Sequence, residues 1–175
     1  MTVPDPLVLW LLPLSWLVHD IEELVAIEGW SDRWRDAPGM STLQRRLVER
    51  MVSTRRRFAV AVALVGCVVV GATVAGVLEP DGIGILAYTT VLGGYFLHGS
   101  VHVGGSLVFR GYTPGLLTAV NLVIPVPVTL YRRLLGAGLL APEVAVATCV
   151  VGFVVFLPVV VLANRLAARI ERTLG

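Results

Sequence analysis

FAVAVALVGCVVVGATVAGVL, residues 58–78, contains no charged residue and directly follows Arg55, Arg56 and Arg57. A helix needs about 20 apolar residues to cross the hydrocarbon of a bilayer, so this stretch reads as a transmembrane helix with a basic flank. Three more runs read the same way: 82–109, uncharged but carrying His98 and His102; 113–131, closed by Arg132 and Arg133; and 143–164, closed by Arg165. Composition agrees. The 175 residues are 56% hydrophobic and 15% charged, with a mean hydropathy of +0.82 and a formal charge of +2. Soluble domains carry about a quarter charged residues. An ordinary soluble domain, a disordered segment and a basic nucleic-acid binder are therefore excluded, and nucleic acid is not an expected partner.

All fourteen basic residues are arginine, which rules out lysine chemistry. Cys67 and Cys149 each lie inside an apolar run, so no disulfide framework is implied. The N-terminal MTVPDPLVLW lacks a basic region and a small-residue cleavage site, and does not read as a signal peptide.

The first span is the difficult one. The apolar run 7–18 is about 18 Å long at the helical rise, too short to cross. Taken as residues 5–28 it is long enough, but His19, Asp20, Glu22 and Glu23 then enter the bilayer. The expected fold is an all-α polytopic bundle of five transmembrane helices in a single domain, 1–175. The positive-inside rule orients it. With the loop after the first helix cytoplasmic, twelve of the fourteen arginines are inside and only Arg132 and Arg133 outside. The N-terminus is then outside and the C-terminus cytoplasmic. Within that loop, residues 41–55 have the pattern of a short interfacial helix. Ser41 and Gln44 have capping-box spacing, and Leu43, Leu47, Val48 and Met51 share a face.

His19-Asp20-Ile21-Glu22-Glu23 is the informative stretch. Each intramembrane acid costs roughly 2.5–3.5 kcal/mol on insertion scales unless something compensates it. A divalent cation bound by carboxylate and imidazole would compensate. His98 and His102, four apart, stack on one face of the third helix, with Tyr95 on the same side. Counted from the cytoplasmic ends at the helical rise, Glu23 and His102 both lie roughly 10–12 Å deep, and His19 and His98 roughly 16–18 Å. Thr118 and Asn121 reach a similar depth on the fourth helix.

The same residues carry a family resemblance. The His19-to-Glu23 motif at the end of an apolar run, the His98/His102 pair, and Tyr112-Thr113-Pro114-Gly115 with Thr118 resemble the small integral membrane proteins named for their HXXEE motif. The resemblance covers the first through fourth helices. It marks a site without naming a reaction.

The residues themselves leave three readings: metal binding, which fits best, a metal-free proton relay, and a packing role. The expected ligands are His19, Glu23, His98 and His102. Glu22 and Glu23 are the candidate catalytic carboxylates, and Glu23 is the preferred ligand because it stacks closer to His19. Asp20, Tyr95, Tyr112, Thr118 and Asn121 are the surrounding or substrate-facing candidates. Three histidines suit zinc; two histidines and a carboxylate would suit non-haem iron. Zinc is favoured over iron. The expected function is a metal-dependent membrane enzyme, hydrolytic in class, acting on a membrane lipid or lipophilic small molecule. A metal- or proton-handling transport or sensor protein, or an accessory subunit, is the alternative, and a homo-oligomer is compatible with the chain.

Overall fold

The structure, a computed structural model, describes residues 6–51 and 54–174. Among them there is no strand. A 3-10 turn, Pro6–Trp10, leads into α1 (Leu11–Arg35), followed by α2 (Thr42–Met51), α3 (Arg55–Leu78) and α4 (Ile83–Phe109). The short α5 (Leu116–Thr118) passes through a π segment, Ala119–Val123, into α6 (Pro125–Gly136), and α7 (Pro142–Leu174) ends the chain. Residue 5 of the expected first span and residues 52–53 of the expected interfacial helix lie outside the described residues.

Several boundaries differ from the sequence reading; α3 opens at Arg55 instead of residue 58, its first turn capped by the Thr54 hydroxyl, and so takes Arg55 from the expected interfacial helix 41–55. The first helix runs on to Arg35 instead of ending near residue 28, because its last turns are packed. Trp30 is buried against Phe109 and α2's Val48, with the Trp30 and Phe109 rings edge-to-face at 5.0 Å. The last helix continues ten residues past 164, where buried Ala163 and Ala167 pack on Ala61 of α3. The fourth run does not begin as a helix at 113. Pro114 and Gly115 form a turn closed by the Leu116 N–H donating to the Thr113 carbonyl at 3.1 Å, with Gly115 at φ 82°. Those are the features of a type II turn, which needs φ > 0 at its third residue. Further on, Pro125 and Pro127 lack the N–H groups that would continue an α-helical ladder, and the π segment sits directly before them.

Two helices, α3 and α7, are long and apolar enough to cross a membrane by length and composition. The acids of α1, and the histidines, tyrosines and glycines of α4, lower the hydropathy of those two helices. Burial on α1 is nonetheless inverted relative to a soluble helix. Its inward stripe is Leu12, Ser15, His19, Asp20 and Glu23, while Leu14 and Val25 are 58% and 73% exposed. Valines dominate the exposed side of α7 in the same way. Such apolar exteriors mark an interaction surface of large area.

The helices approach closely where side chains vanish. Gly94 of α4 faces Gly152 of α7, and a Cβ on Gly152 would meet the Thr90 carbonyl oxygen and lie 2.6 Å from the Gly94 nitrogen. At the other end, Glu28 of α1 pairs with Arg55 at 2.8 Å and accepts from its backbone N–H, tying α1 to the start of α3. Helix α2 carries the expected capping box, with Ser41 N–H donating to Gln44 Oε1 at 2.8 Å and Gln44 N–H to Ser41 Oγ at 3.2 Å. The Gln44 amide then donates to the Val108 carbonyl, docking α2 on the end of α4.

Gly152→Ala is expected to cost about 1–3 kcal/mol through overpacking. Thermal unfolding in detergent measures it, and an unchanged midpoint would show that the α4–α7 crossing has slack.

Candidate metal centre

The i, i+4 spacing aims two side chains from each of two helices at one point: His19 and Glu23 from α1, His98 and His102 from α4. Their ligand atoms all lie within 4.8 Å of one another. His98 Nε2 is 3.2 Å from His19 Nε2 and 2.9 Å from His102 Nε2. The Glu23 carboxylate reaches His19 Nε2 at 3.7 Å and His102 Nε2 at 3.6 Å. His19, Glu23 and His102 are buried; His98 is half-buried.

The outer nitrogens decide which atoms face inward. His102 Nδ1 is 2.8 Å from the Pro114 carbonyl oxygen, which can only accept, so Nδ1 carries the proton. His19 Nδ1 is 2.7 Å from Thr118 Oγ1. That hydroxyl directs its own hydrogen to an acceptor, Glu22 Oε2 at 2.5 Å or the Gly115 carbonyl at 3.3 Å, so it accepts from His19. Both Nε2 atoms therefore present lone pairs, facing each other and an acid. His98 Nε2 can donate to one of them at most. Such a set is repulsive unless a proton or a metal cation stands among it. Donors bonded at about 2.0–2.1 Å to a tetrahedral zinc-like ion stand about 3.3–3.4 Å apart, close to the separations above. Imidazole donors suit zinc, iron, copper or nickel better than magnesium or calcium. The cluster can hold a metal ion.

The turn after α4 organises the centre. The Pro114 carbonyl and Thr118 hydroxyl orient the two histidines, and Thr113 Oγ1 bonds Ser106 Oγ at 2.7 Å behind them. A Cβ on Gly115 would lie 2.7 Å from His19 Cε1 and 2.9 Å from His102 Cε1. Only glycine satisfies both the φ and the space. Glu22 locks this turn to α1. Its Oε1 accepts from the Tyr112 hydroxyl and the Leu117 N–H, and its Oε2 from the Thr118 N–H at 2.8 Å and the Thr118 hydroxyl. The adjacent carboxylates thus diverge, Glu23 to the histidines and Glu22 to the start of α5. Partial burial and the bond to Glu22 raise the pKa of the Tyr112 phenol.

Of the other expected residues, Asp20 is buried beside the cluster with Oδ2 lacking a hydrogen-bond partner. Tyr95 is buried with its ring edge-on to His19 at 6.3 Å. Asn121 is not brought in. It is exposed on the π segment and its amide donates to its own helix at the Leu117 carbonyl. Sequence reasoning missed Gly115 and the Pro114 carbonyl as site elements, although Pro-Gly is a type II turn signal. It also missed Asn164, the lone amide closing the apolar run of α7.

Two cavities meet at the cluster. One of about 180 Å³ reaches Trp16, Asp20, Tyr95 and Phe156. The other, about 580 Å³, opens beneath α2 along Leu43, Leu47, Val101 and Val108. Glu23, Phe58, His98 and Asn164 stand in the walls of both.

These features define an all-α protein built around a buried His/Glu centre that can hold a metal ion. A family model, described as protein of unknown function with HXXEE motif, matches residues 10–130, and the chain belongs to that family. The match covers every residue of the cluster and ends within α6, so α7 lies beyond it. Comparison with curated proteins and with solved structures returns no match.

Gly115→Ala is expected to displace His19 and His102 while leaving the helices intact. Cobalt added to the purified variant should then fail to give the visible absorption of a tetrahedral nitrogen-ligated site. Equal spectra in variant and parent would show that the turn does not hold the histidines.

Proposed function

We propose that this protein is a membrane-embedded, metal-dependent enzyme, hydrolytic in class, that acts on a lipophilic substrate. The observation that carries the reading is a convergent set of imidazole lone pairs and a carboxylate at the junction of two largely apolar cavities. A purely structural ion would be expected behind protein on every side; this cluster fronts open space. Concave apolar pockets with a few convergent polar groups are the usual form of small-molecule sites.

His19, His98, His102 and Glu23 would hold the ion, zinc in preference to iron because three imidazoles are present. Bound there, it would supply Lewis-acid activation of water and of a polarisable carbonyl or phosphoryl oxygen. The chain's own residues do the rest. Thr118 and the Pro114 carbonyl hold the imidazoles in one tautomer. Glu22, already accepting from four donors, positions Thr118 and so acts on His19 indirectly, not as a free base. Asp20 and Tyr95 offer polar atoms to a substrate in the smaller cavity, and the apolar walls exclude water.

The membrane reading extends to five crossings: α1, α3, α4, the α5–α6 unit and α7, with the N-terminus outside. The apolar exteriors of α1 and α7 and the arginine distribution support it. A transport path has less support. Thr89, Thr90 and Thr129, on the far halves of their helices, each bond to a carbonyl one turn back on their own helix, so their hydroxyls are already engaged.

Elemental analysis of purified protein tests the centre. Glu23→Gln should remove most of the bound metal. Glu22→Gln should retain it with affinity weakened about 10–100-fold, the usual cost of losing an orienting partner. Equal metal content in parent, Glu23→Gln and His98→Ala would end the metal reading. Topology has its own test, in a background where Cys67 and Cys149 are replaced by alanine. Asp81→Cys should react with an impermeant maleimide from outside intact cells, and Arg46→Cys only after lysis. Labelling of both from outside would remove the five-crossing arrangement.

A further inference from the structure

The three arginines that open α3 have different surroundings. Arg55 is paired with Glu28, and Arg56 is exposed. Arg57 is half-buried and lines the larger cavity, and its Nε is shut away from solvent without a hydrogen-bond partner. The acids that share a pocket with it are engaged elsewhere. Glu28 holds Arg55, Asp32 is 3.3 Å from Arg35, and Glu171 accepts from the Thr54 hydroxyl at 2.7 Å. A buried guanidinium N–H without an acceptor is costly, and its planar fork matches phosphate and carboxylate oxygens. The same cavity is lined by Leu43, Leu47, Val101 and Val108 and by Glu23 and His98.

We infer that the centre takes an acidic membrane lipid, its anionic head group held by Arg57 at the cavity mouth and its chain lying along the apolar wall towards Glu23 and His98. This deepens the enzyme reading and rests on it for the site's being a substrate site. Charge alone does not carry it, since Arg56 next door lines neither of the two cavities. The combination of one guanidinium whose buried Nε lacks an acceptor with an apolar cavity wall fits an amphiphile and not a free anion.

The test uses full-length protein in phosphatidylcholine nanodiscs, with quenching of tryptophan fluorescence by brominated lipid as the readout; Trp16 lines the smaller cavity. Brominated phosphatidylglycerol should quench at concentrations about tenfold or more below those of brominated phosphatidylcholine with the same chains, the size expected for a hydrogen bond to a charged group. Arg57→Gln should abolish that preference without altering quenching by phosphatidylcholine. Arg57→Lys should keep part of it, Arg56→Gln all of it, and inorganic phosphate should not compete. Equal quenching by the two lipids in the parent, equal losses in Arg56→Gln and Arg57→Gln, or full competition by inorganic phosphate would overturn the inference. So would a preference that survives Arg57→Gln but disappears when a chelator strips the metal, since the ion would then hold the head group. Metal content is measured on the same samples. Metal present without lipid preference removes the lipid site alone. Metal absent with an Arg57-dependent preference removes the enzyme reading and leaves the lipid site standing.

Discussion

Two imidazole N–H groups, on His102 and His19, point at acceptors supplied by the turn after α4 and by Thr118 at the end of α5. Because a carbonyl, and a hydroxyl whose hydrogen is already directed elsewhere, can only accept, both rings are forced to turn a lone pair inward. The interior of the bundle thereby becomes a site that can hold a cation. The turn depends in turn on Gly115, whose missing Cβ lets the chain pass between two imidazole edges, and on Glu22, which ties the start of α5 back to α1. Site and fold are thus stabilised by the same contacts.

The division of labour between the neighbouring glutamates follows from helix geometry. Residues one apart diverge by about 100°, so a single adjacent pair can serve one ligand position and one clamp. Glu22 ends with four donors on two oxygens and no free lone pair of consequence, whereas Glu23 makes no contact with a backbone donor. This asymmetry explains how a family motif can contain two acids without requiring two metal ions.

Much of the helix pattern was legible in the chain itself. The uncharged run before Glu79, the capping box at Ser41 and Gln44, and the i, i+4 pairing of His98 with His102 are local properties, set by sequence spacing and by backbone hydrogen bonding. Proline-rich 113–127 was not legible to the same degree. A helix start at Thr113 and a turn at Pro114-Gly115 are both permitted by those residues, and only the location of His19 and His102 against Gly115 selects the turn. Asn121 shows the same limit. Its depth along the chain matched the cluster, but a π segment rotates it to the exterior, and a rotation of that kind depends on how the helix packs ahead of Pro125.

The sequence by itself determined which residues could share a helix face and how apolar the exterior must be, because both depend on spacing and composition over one or two turns. The tertiary structure decided what those faces meet. Three features required it: the approach of α1 to α4 that brings His19 within 3.2 Å of His98, the return of the Pro114 carbonyl onto His102, and the burial of Arg57 Nε without a hydrogen-bond partner. The first joins segments 79 residues apart in the chain. Their positions are set by close helix crossings at glycine and by the order in which polar groups find partners, and no local pattern encodes either.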